Sequence, residues 1–408
     1  MMIRTLAVRL CLLLAVAAVS RQGFTIPAQP GYNEPGERKG QLRSRWAAPY
    51  VRESTEKVGE RSVTTFTWFN ETGEVLREVT GGILQPGFLM VNEDEQTIVY
   101  GLGGDWQLTL PKTPDGMESY VTGTPDGRFF IHQQFGGGES AIDSYRDGKL
   151  VAQIGPYPDR DSFVHPDDDG SLSLLVWDSP AKATPQVMVV GPDGKERFRV
   201  QCEPKARRQV AGPDGMGALL TIYGEHGGGG GEDGEYFAWY TAEGLQHSLD
   251  VGPNAIFRGW APGSHKALIW TSTEESFYSL VDWDTGKLLW MVPCPGGGQA
   301  LSIELTPDFA LFVVAELYKP GPWGGESWPL EGENSPWIRT FYALSYQDGR
   351  PIAYWRAKYP QRLNERNAGS FMRRGEKLYF VTNEEFTEIS LEDITAKRNG
   401  WSELPGER

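Results

Sequence analysis

Three cysteines in 408 residues are too few to staple a fold. Cys11 lies in the apolar run that opens the chain, so only Cys202 and Cys294 remain beyond it. A disulfide framework is excluded, and the core has to come from packing. Histidine is also scarce. His132, His165, His226, His247 and His265 are scattered, without the spacing of a zinc site, and no metal is expected. Positive charge is in deficit, with 39 Lys and Arg against 54 Asp and Glu and a formal charge of −15. Such a surface repels phosphate backbones and anionic lipid, so nucleic acid is not an expected partner. Helical periodicity is missing from every long window. The longest apolar run, Leu10 to Val19, is too short to span a bilayer comfortably.

That run follows Arg4 and Arg9 and ends in Ala18-Val19-Ser20, small residues at the −3 and −1 positions of a cleavage site. Residues 1–20 therefore read as a secretory signal peptide, with an uncleaved N-terminal anchor as the alternative. Its removal takes away Arg4 and Arg9 and no acid, which moves the charge from −15 to −17. The expected location is secreted, periplasmic or cell-envelope, with no membrane span after cleavage. Residues 21–62 are polar and broken by Pro27, Pro30, Pro35 and Pro49, and read as a linker or arm. Residues 396–408 read as a C-terminal tail.

What the chain has in quantity is glycine, 50 residues, and aromatics at 12%. Two kinds of turn alternate from Val63 onward. One joins two strands through a polar-Gly pair, as in Arg146-Asp147-Gly148-Lys149, Pro192-Asp193-Gly194-Lys195, Asp284-Thr285-Gly286-Lys287 and Gln347-Asp348-Gly349-Arg350. The other precedes a strongly apolar strand, as in Thr124-Pro125-Asp126-Gly127, Gly212-Pro213-Asp214-Gly215 and Thr306-Pro307-Asp308, with Asn92 to Gln96 as a degenerate first member. Proline presets φ in such turns, and Asp-Gly supplies a side-chain acceptor and a positive φ. The repeating unit is four strands.

Four-stranded units of about 48 residues are the mark of a β-propeller. The expectation is an all-β chain with the propeller over residues 63–395 and seven four-stranded blades, six or eight being the alternatives. The final unit lacks an outer strand, and Val63 to Val79 is strand material without a partner pair before it. Ring closure by joining these N- and C-terminal strands is therefore expected. An intervening blade would keep Cys202 and Cys294 too far apart to bridge.

Leu280-Val281-Asp282-Trp283-Asp284-Thr285-Gly286-Lys287-Leu288-Leu289-Trp290 resembles the Ala-x-Asp-x-x-Thr-Gly-x-x-x-Trp docking repeat of pyrroloquinoline-quinone-type propellers, with Leu280 in place of Ala. The resemblance implies that Trp290 is a structural residue packed on the neighbouring blade. The Pro-Asp-Gly turns are similar to those of YVTN and WD-repeat-like propellers. That superfamily includes quinone-dependent dehydrogenases, but no matching ligand set or adjacent cysteine pair is present, and no cofactor is expected.

No nucleophile elbow or phosphate loop occurs. Asn70-Glu71-Thr72 has the form of a glycosylation sequon, yet a turn asparagine is expected there for local reasons. Departures from the repeat are more informative. Two connections between the second and third strands are enlarged: Gly224 to Glu235 and Lys319 to Trp337. Tyr318, Trp323, Trp328, Trp337, Glu225 and His226 are the candidate ligand- or partner-binding residues on them. The expected function is a non-enzymatic binding scaffold for a protein or carbohydrate. The alternative is an enzyme, a lyase or glycosidase or else a quinone-dependent dehydrogenase, with carboxylates such as Glu225, Asp233 or Glu326 at the channel mouth.

Overall fold

The computed structural model describes residues 43–402 apart from 59, 86, 94–95, 103–105, 112–117, 124–127, 136–138, 147, 159–164, 167–170, 177–183, 192, 223–235, 253–254, 272–276, 294–299, 301, 317–336, 360–368, 375–376 and 383–384. Strands follow one another in antiparallel meanders, each sheet being built from consecutive strands. The first sheet holds β1 (Arg43–Ala48), β2 (Val51–Val58), β3 (Arg61–Phe69) and β4 (Val75–Thr80). The second holds β5 (Ile83–Gln85), β6 (Phe88–Asn92), β7 (Gln96–Gly101) and β8 (Gln107–Pro111). In the third are β9 (Glu118–Gly123), β10 (Arg128–Phe135), β11 (Glu139–Arg146) and β12 (Lys149–Pro158). Then come β13 (His165–Pro166), β14 (Leu172–Val176), β15 (Gln186–Val190) and β16 (Glu196–Gln201).

The fifth sheet is β17 (Ala206–Ala211), β18 (Ala218–Ile222), β19 (Tyr236–Thr241) and β20 (Gly244–Leu249). β21 (Ala255–Trp260), β22 (Lys266–Thr271), β23 (Phe277–Asp282) and β24 (Lys287–Pro293) make the sixth. β25 (Ser302–Leu305), β26 (Phe309–Glu316), β27 (Trp337–Ser345) and β28 (Pro351–Tyr359) make the seventh. The last sheet has three strands, β29 (Ser370–Arg374), β30 (Lys377–Val381) and β31 (Phe386–Ile389), and a short helix α1 (Leu391–Ala396) follows. The chain forms two compact units, Met1–Gly81 with Met372–Ile389, and Gly82–Phe371 with Ser390–Arg408.

Three expectations are corrected. Residues 43–58, read as part of an arm, are β1 and β2, paired with each other and through β2 with β3, so the described residues form eight sheets, the larger of the alternatives to seven. Val63 to Val79 therefore already has its partner pair and does not complete the last sheet; β3 and β4 close on β2 instead. Asn92 to Gln96 joins the second and third strands of its sheet rather than the first and second. The polar alternation of β2 and Pro49 concealed these strands. What makes them strands is a neighbour to pair with, more than their own propensity.

The larger unit is held by apolar layers between successive sheets. Along β14, Leu172, Leu174 and Val176 join one layer with Ile142, Ile154, Met188 and Val190. Leu175 belongs to the next layer, with Val187, Phe198, Ala218, Leu220 and Tyr240. Alternating side chains point to opposite faces, so a strand apolar at every position is one covered on both sides. The pattern continues with Trp239, Trp260, Ile269 and Trp283 in one layer and Leu268, Tyr278, Trp290, Phe312 and Tyr342 in another. In the smaller unit Tyr50, Tyr379, Val381 and Phe386 form a separate cluster with Trp46, Phe69 and Met372 at its margin.

The polar-Gly turns all join a third strand to a fourth, and just beyond each the register slips by one residue in β4, β12, β16, β20, β24 and β28. The bulge adds twist and aims the following side chain at the next sheet. Trp290 is that side chain in β24, pairing with Leu280. Its indole N–H donates to Tyr346 O at 3.1 Å, and a Cβ on Gly349 would lie 2.9 Å from its ring. His247 stands in the same place over Gly286, and Ala152 over Gly194. Gly349 has φ +70 and Gly286 φ +62, so each is fixed both by its conformation and by the ring above it.

Within the segment read as a C-terminal tail, residues 396–402 pack on the fold. Ser390 caps α1 through Asp393 N at 3.2 Å, and the chain then turns back at Lys397 in the left-handed region. Trp401 is buried beside Phe341 and Trp355, and Ser402 exchanges both backbone hydrogen bonds with Tyr354 on the outer edge of β28. Truncating Trp290 tests the docking contact. Trp290→Ala should cost about 3–5 kcal/mol of stability, as for other large-to-small changes in a core. Trp290→Phe, which loses only the indole hydrogen bond and some area, should cost about 1 kcal/mol by comparison. Denaturant titration of the two variants gives the comparison.

Candidate functional site

The strands that the two enlarged connections join are described. Residues 223–235 run from β18 to β19 and residues 317–336 from β26 to β27, in each case from second strand to third. Between those sheets lies the sheet of β21 to β24, whose corresponding connection is residues 272–276. Layers of core residues join all three sheets, so the ends of β18, β22 and β26 belong to one packed block.

The strand ends that flank the connections carry specific polar contacts. Thr221 and Ile222 are buried at the end of β18, facing Tyr236 and Phe237 at the start of β19. Thr271 is buried and donates from Oγ1 to Val251 O at 3.1 Å. Tyr278 Oη accepts from Ala300 N at 3.0 Å, which ties β23 to the segment that enters β25. Arg339, only 4% exposed, and Thr340, fully buried, stand near the start of β27. A buried guanidinium is a strong positional constraint, because its charge must be met within the fold. Nearby, the Arg258 guanidinium lies 4.8 Å over the ring of Trp270.

Of the sequence candidates, Trp290 lies on β24 with its ring against Gly349 and its indole N–H on Tyr346 O. Trp337 is the first residue of β27 and pairs with Tyr359. Tyr318, Trp323, Trp328, Glu225 and His226 lie outside the described residues, as do Asp233 and Glu326. Among the described residues there is no group of three or more His, Cys, Asp or Glu able to hold a metal ion. No helix of the described residues is long and apolar enough to cross a membrane.

Two polar features have structural explanations. Asn70 Oδ1 accepts from Thr72 N, Thr72 Oγ1 and Glu74 N at 2.8–3.0 Å, and its amide donates to Glu74. The asparagine of the sequon thus organises its own turn. His265 Nδ1 meets Asp284 Oδ1 at 2.7 Å while its ring lies 5.2 Å from Trp239, and His247 Nε2 is 3.4 Å from Asp284 O. One turn is therefore held by histidines from two directions. Sequence reading missed this pair, and the only available signal was that Asp284 precedes the Thr-Gly of the docking repeat.

Cys202 carries a free thiol, buried in the layer between β15 and β18. Burial pushes its pKa up to about 12, helped by Glu203. Burial likewise raises Tyr240 to about 12, although its hydroxyl accepts from Glu203 N, and raises Tyr346. The folded state therefore keeps protons that the unfolded chain releases from its ordinary thiol and phenol values of 9.0 and 10.0. Stability contributed by these groups is complete below about pH 9 and falls as pH rises toward about 12. Alkaline denaturation followed by tyrosinate absorbance should show Tyr240 titrating together with unfolding. In the native protein below that range, a thiol reagent should leave Cys202 unmodified.

No family model matches the chain, and no curated protein matches it significantly. Among solved structures it is similar to the WD40 domain of SCAP from fission yeast, at 10% identity over 87% of this chain and 96% of that one, with a TM-score of 0.44. It is similar also to a chain of the mitotic checkpoint complex, at 12% identity over 90% and 97%, with a TM-score of 0.43. A third is an uncharacterised protein of Listeria monocytogenes EGD-e, at 8% identity over 86% and 94%, with a TM-score of 0.39. None of these TM-scores is high enough to carry a functional argument.

Proposed function

We propose that the eight sheets are the blades of one exported β-propeller that serves as a binding scaffold, with a protein as its partner. The blade reading is supported by the layers joining successive sheets and by the repeated contact of a fourth strand with the next turn glycine. The docking repeat ending in Trp290 supports kinship with pyrroloquinoline-quinone-type propellers. Export rests on residues 1–20. The observation that carries the binding role is the common origin of the two long connections. Both join a second strand to a third, in the two sheets that flank a single sheet in chain order, and the strand ends of these three sheets carry buried threonines, Tyr278 and Arg339.

On this reading Tyr318, Trp323, Trp328 and Trp337 supply flat apolar faces, and Glu225 and His226 supply polar contacts. Tryptophan and tyrosine are enriched at binding hot spots, where a large ring fills a pocket of the partner. A sugar ring fits the same faces, so the partner class is an outcome of the test. Much of the exposed aliphatic surface lies elsewhere, on the fourth strands: Leu76, Val151, Leu245, Leu288, Leu289 and Ile352. It offers a second route for protein contact.

Single alanine variants of the loop tryptophans separate binding from plugging. Trp323→Ala or Trp328→Ala should weaken retention of an envelope partner by about tenfold or more, equal to about 1.4 kcal/mol. Neither should change the melting temperature. Trp337→Ala, at a strand position, should lower it. If all three variants melt earlier and no tryptophan is reached by a collisional quencher, the loop is a structural plug and the binding role fails. Retention on a polysaccharide column without any protein capture would move the partner to the carbohydrate class.

A further inference from the structure

β21 carries one residue that its ladder leaves out. Phe257 pairs with Ile269 and Gly259 with Leu268, so Arg258 between them is a bulge residue with no partner on β22. A bulge re-aims the side chain it carries. Here the guanidinium lies 4.8 Å over the ring of Trp270, which packs against the layer that holds Leu268 and Tyr278. β25 runs close by, since a Cβ on the adjacent Gly259 would lie 2.8 Å from Leu305 Cδ1. On β25, Ile303 and Leu305 face this layer, and Glu304, opposite Leu311, faces away.

The pair is short of acceptors. Arg258 Nε and Trp270 Nε1 are both buried without a hydrogen-bond partner, and among the described residues Arg258 makes no ion pair. Each side chain is only half-buried as a whole, so part of it reaches solvent. Stacking on an indole holds the cation in place but offers its N–H groups no acceptor in their own plane. A charge drawn partly out of water without a counter-ion costs stability. Residues that break a folding rule with no compensating gain in the fold mark functional sites.

We propose that Arg258 and Trp270 form a binding site for a carboxylate. Both side chains donate and neither accepts, which turns away cations and suits an anion. The planar guanidinium presents paired N–H groups that match a carboxylate edge to edge, and the ring beneath it fixes the plane of that match. The formal charge of −15 on the chain works against a more highly charged anion such as phosphate. A free organic acid and an acidic side chain of a protein partner offer the same group. Carboxylate binding here is independent of what the long connections take.

Acetate is the probe, added to protein expressed from its full sequence with isotope-labelled tryptophan. The Trp270 indole N–H signal, identified by its loss in Trp270→Phe, should shift along a saturable curve with a midpoint of about 1–10 mM. Arg258→Gln should weaken this binding by about tenfold or more. Arg258→Lys keeps the charge but loses the fork, and should weaken it less. Arg258→Met should melt no earlier than the unaltered protein, because the guanidinium has no counter-ion to lose. Competition tells the two sources apart, both of them consistent with the site: tighter binding of N-acetylaspartate amide than of acetate assigns it to a protein partner, and weaker binding to a free organic acid. An absent or linear shift, an equal shift in Arg258→Gln, or saturation by chloride or phosphate in preference to acetate overturns the proposal. So does a fall of more than about 4 °C in the melting temperature of Arg258→Met, which would mean that the fold itself meets the charge.

Discussion

The structure of the larger unit depends on covering both faces of every sheet. A lone four-stranded meander can bury only one face against itself, and it leaves the other wet. Stacking sheet on sheet buries both, which is why β14 is buried at every position and why its neighbours alternate between two core layers. Area does not fix which sheet follows which, because apolar faces are interchangeable. The fourth strand supplies that specificity. Its bulge turns one side chain out of the sheet and onto the turn glycine of the next, as Trp290 does over Gly349.

The occupant of that position differs from sheet to sheet while the contact is kept. Ala152, His247 and Trp290 differ greatly in volume, yet each covers a turn glycine. Large occupants add directional bonds: Trp290 to Tyr346 O, and His247 to the Asp284 turn that His265 also holds. Small ones leave the contact to backbone proximity, with Ala152 over Gly194. Core packing tolerates such exchange when the facing volume adjusts. The glycine is the part that cannot vary, since a side chain there would meet the ring above and strain a left-handed φ.

Much of this was legible in the sequence where the determinants are local. Pro213-Asp214-Gly215 forms a short turn with Gly215 at φ +71, as proline and glycine at those positions demand. The expectation for Trp290 could be read because the eleven residues of its repeat, Leu280 to Trp290, are contiguous. The first sheet was not legible. Arg43 to Val58 has few branched or aromatic residues, and Tyr50 takes a positive φ, at +61, that no sequence rule requires. Those strands exist because β3 offers a ladder, a long-range condition. The candidate binding residues share this problem, since nothing local to Trp323 or Glu225 records what lies opposite.

The chain's last residues show how an edge is managed when a strand is not available. β28 is the outer strand of its sheet, and an open outer edge carries a row of unpaired amides. A full strand does not cover it. The segment after α1 makes one antiparallel bridge, Ser402 to Tyr354, and plants Trp401 against Phe341 and Trp355. The helix supplies the turning geometry. Ser390 and Asp393 cap its start, Lys397 reverses the chain, and Arg398 returns to Glu392 and Asp393. A single bridge with one buried indole leaves the rest of the described edge to its bulge at Ile352, which opposes pairing by twist. Edge protection in this protein is thus local chemistry, fitted separately to each sheet.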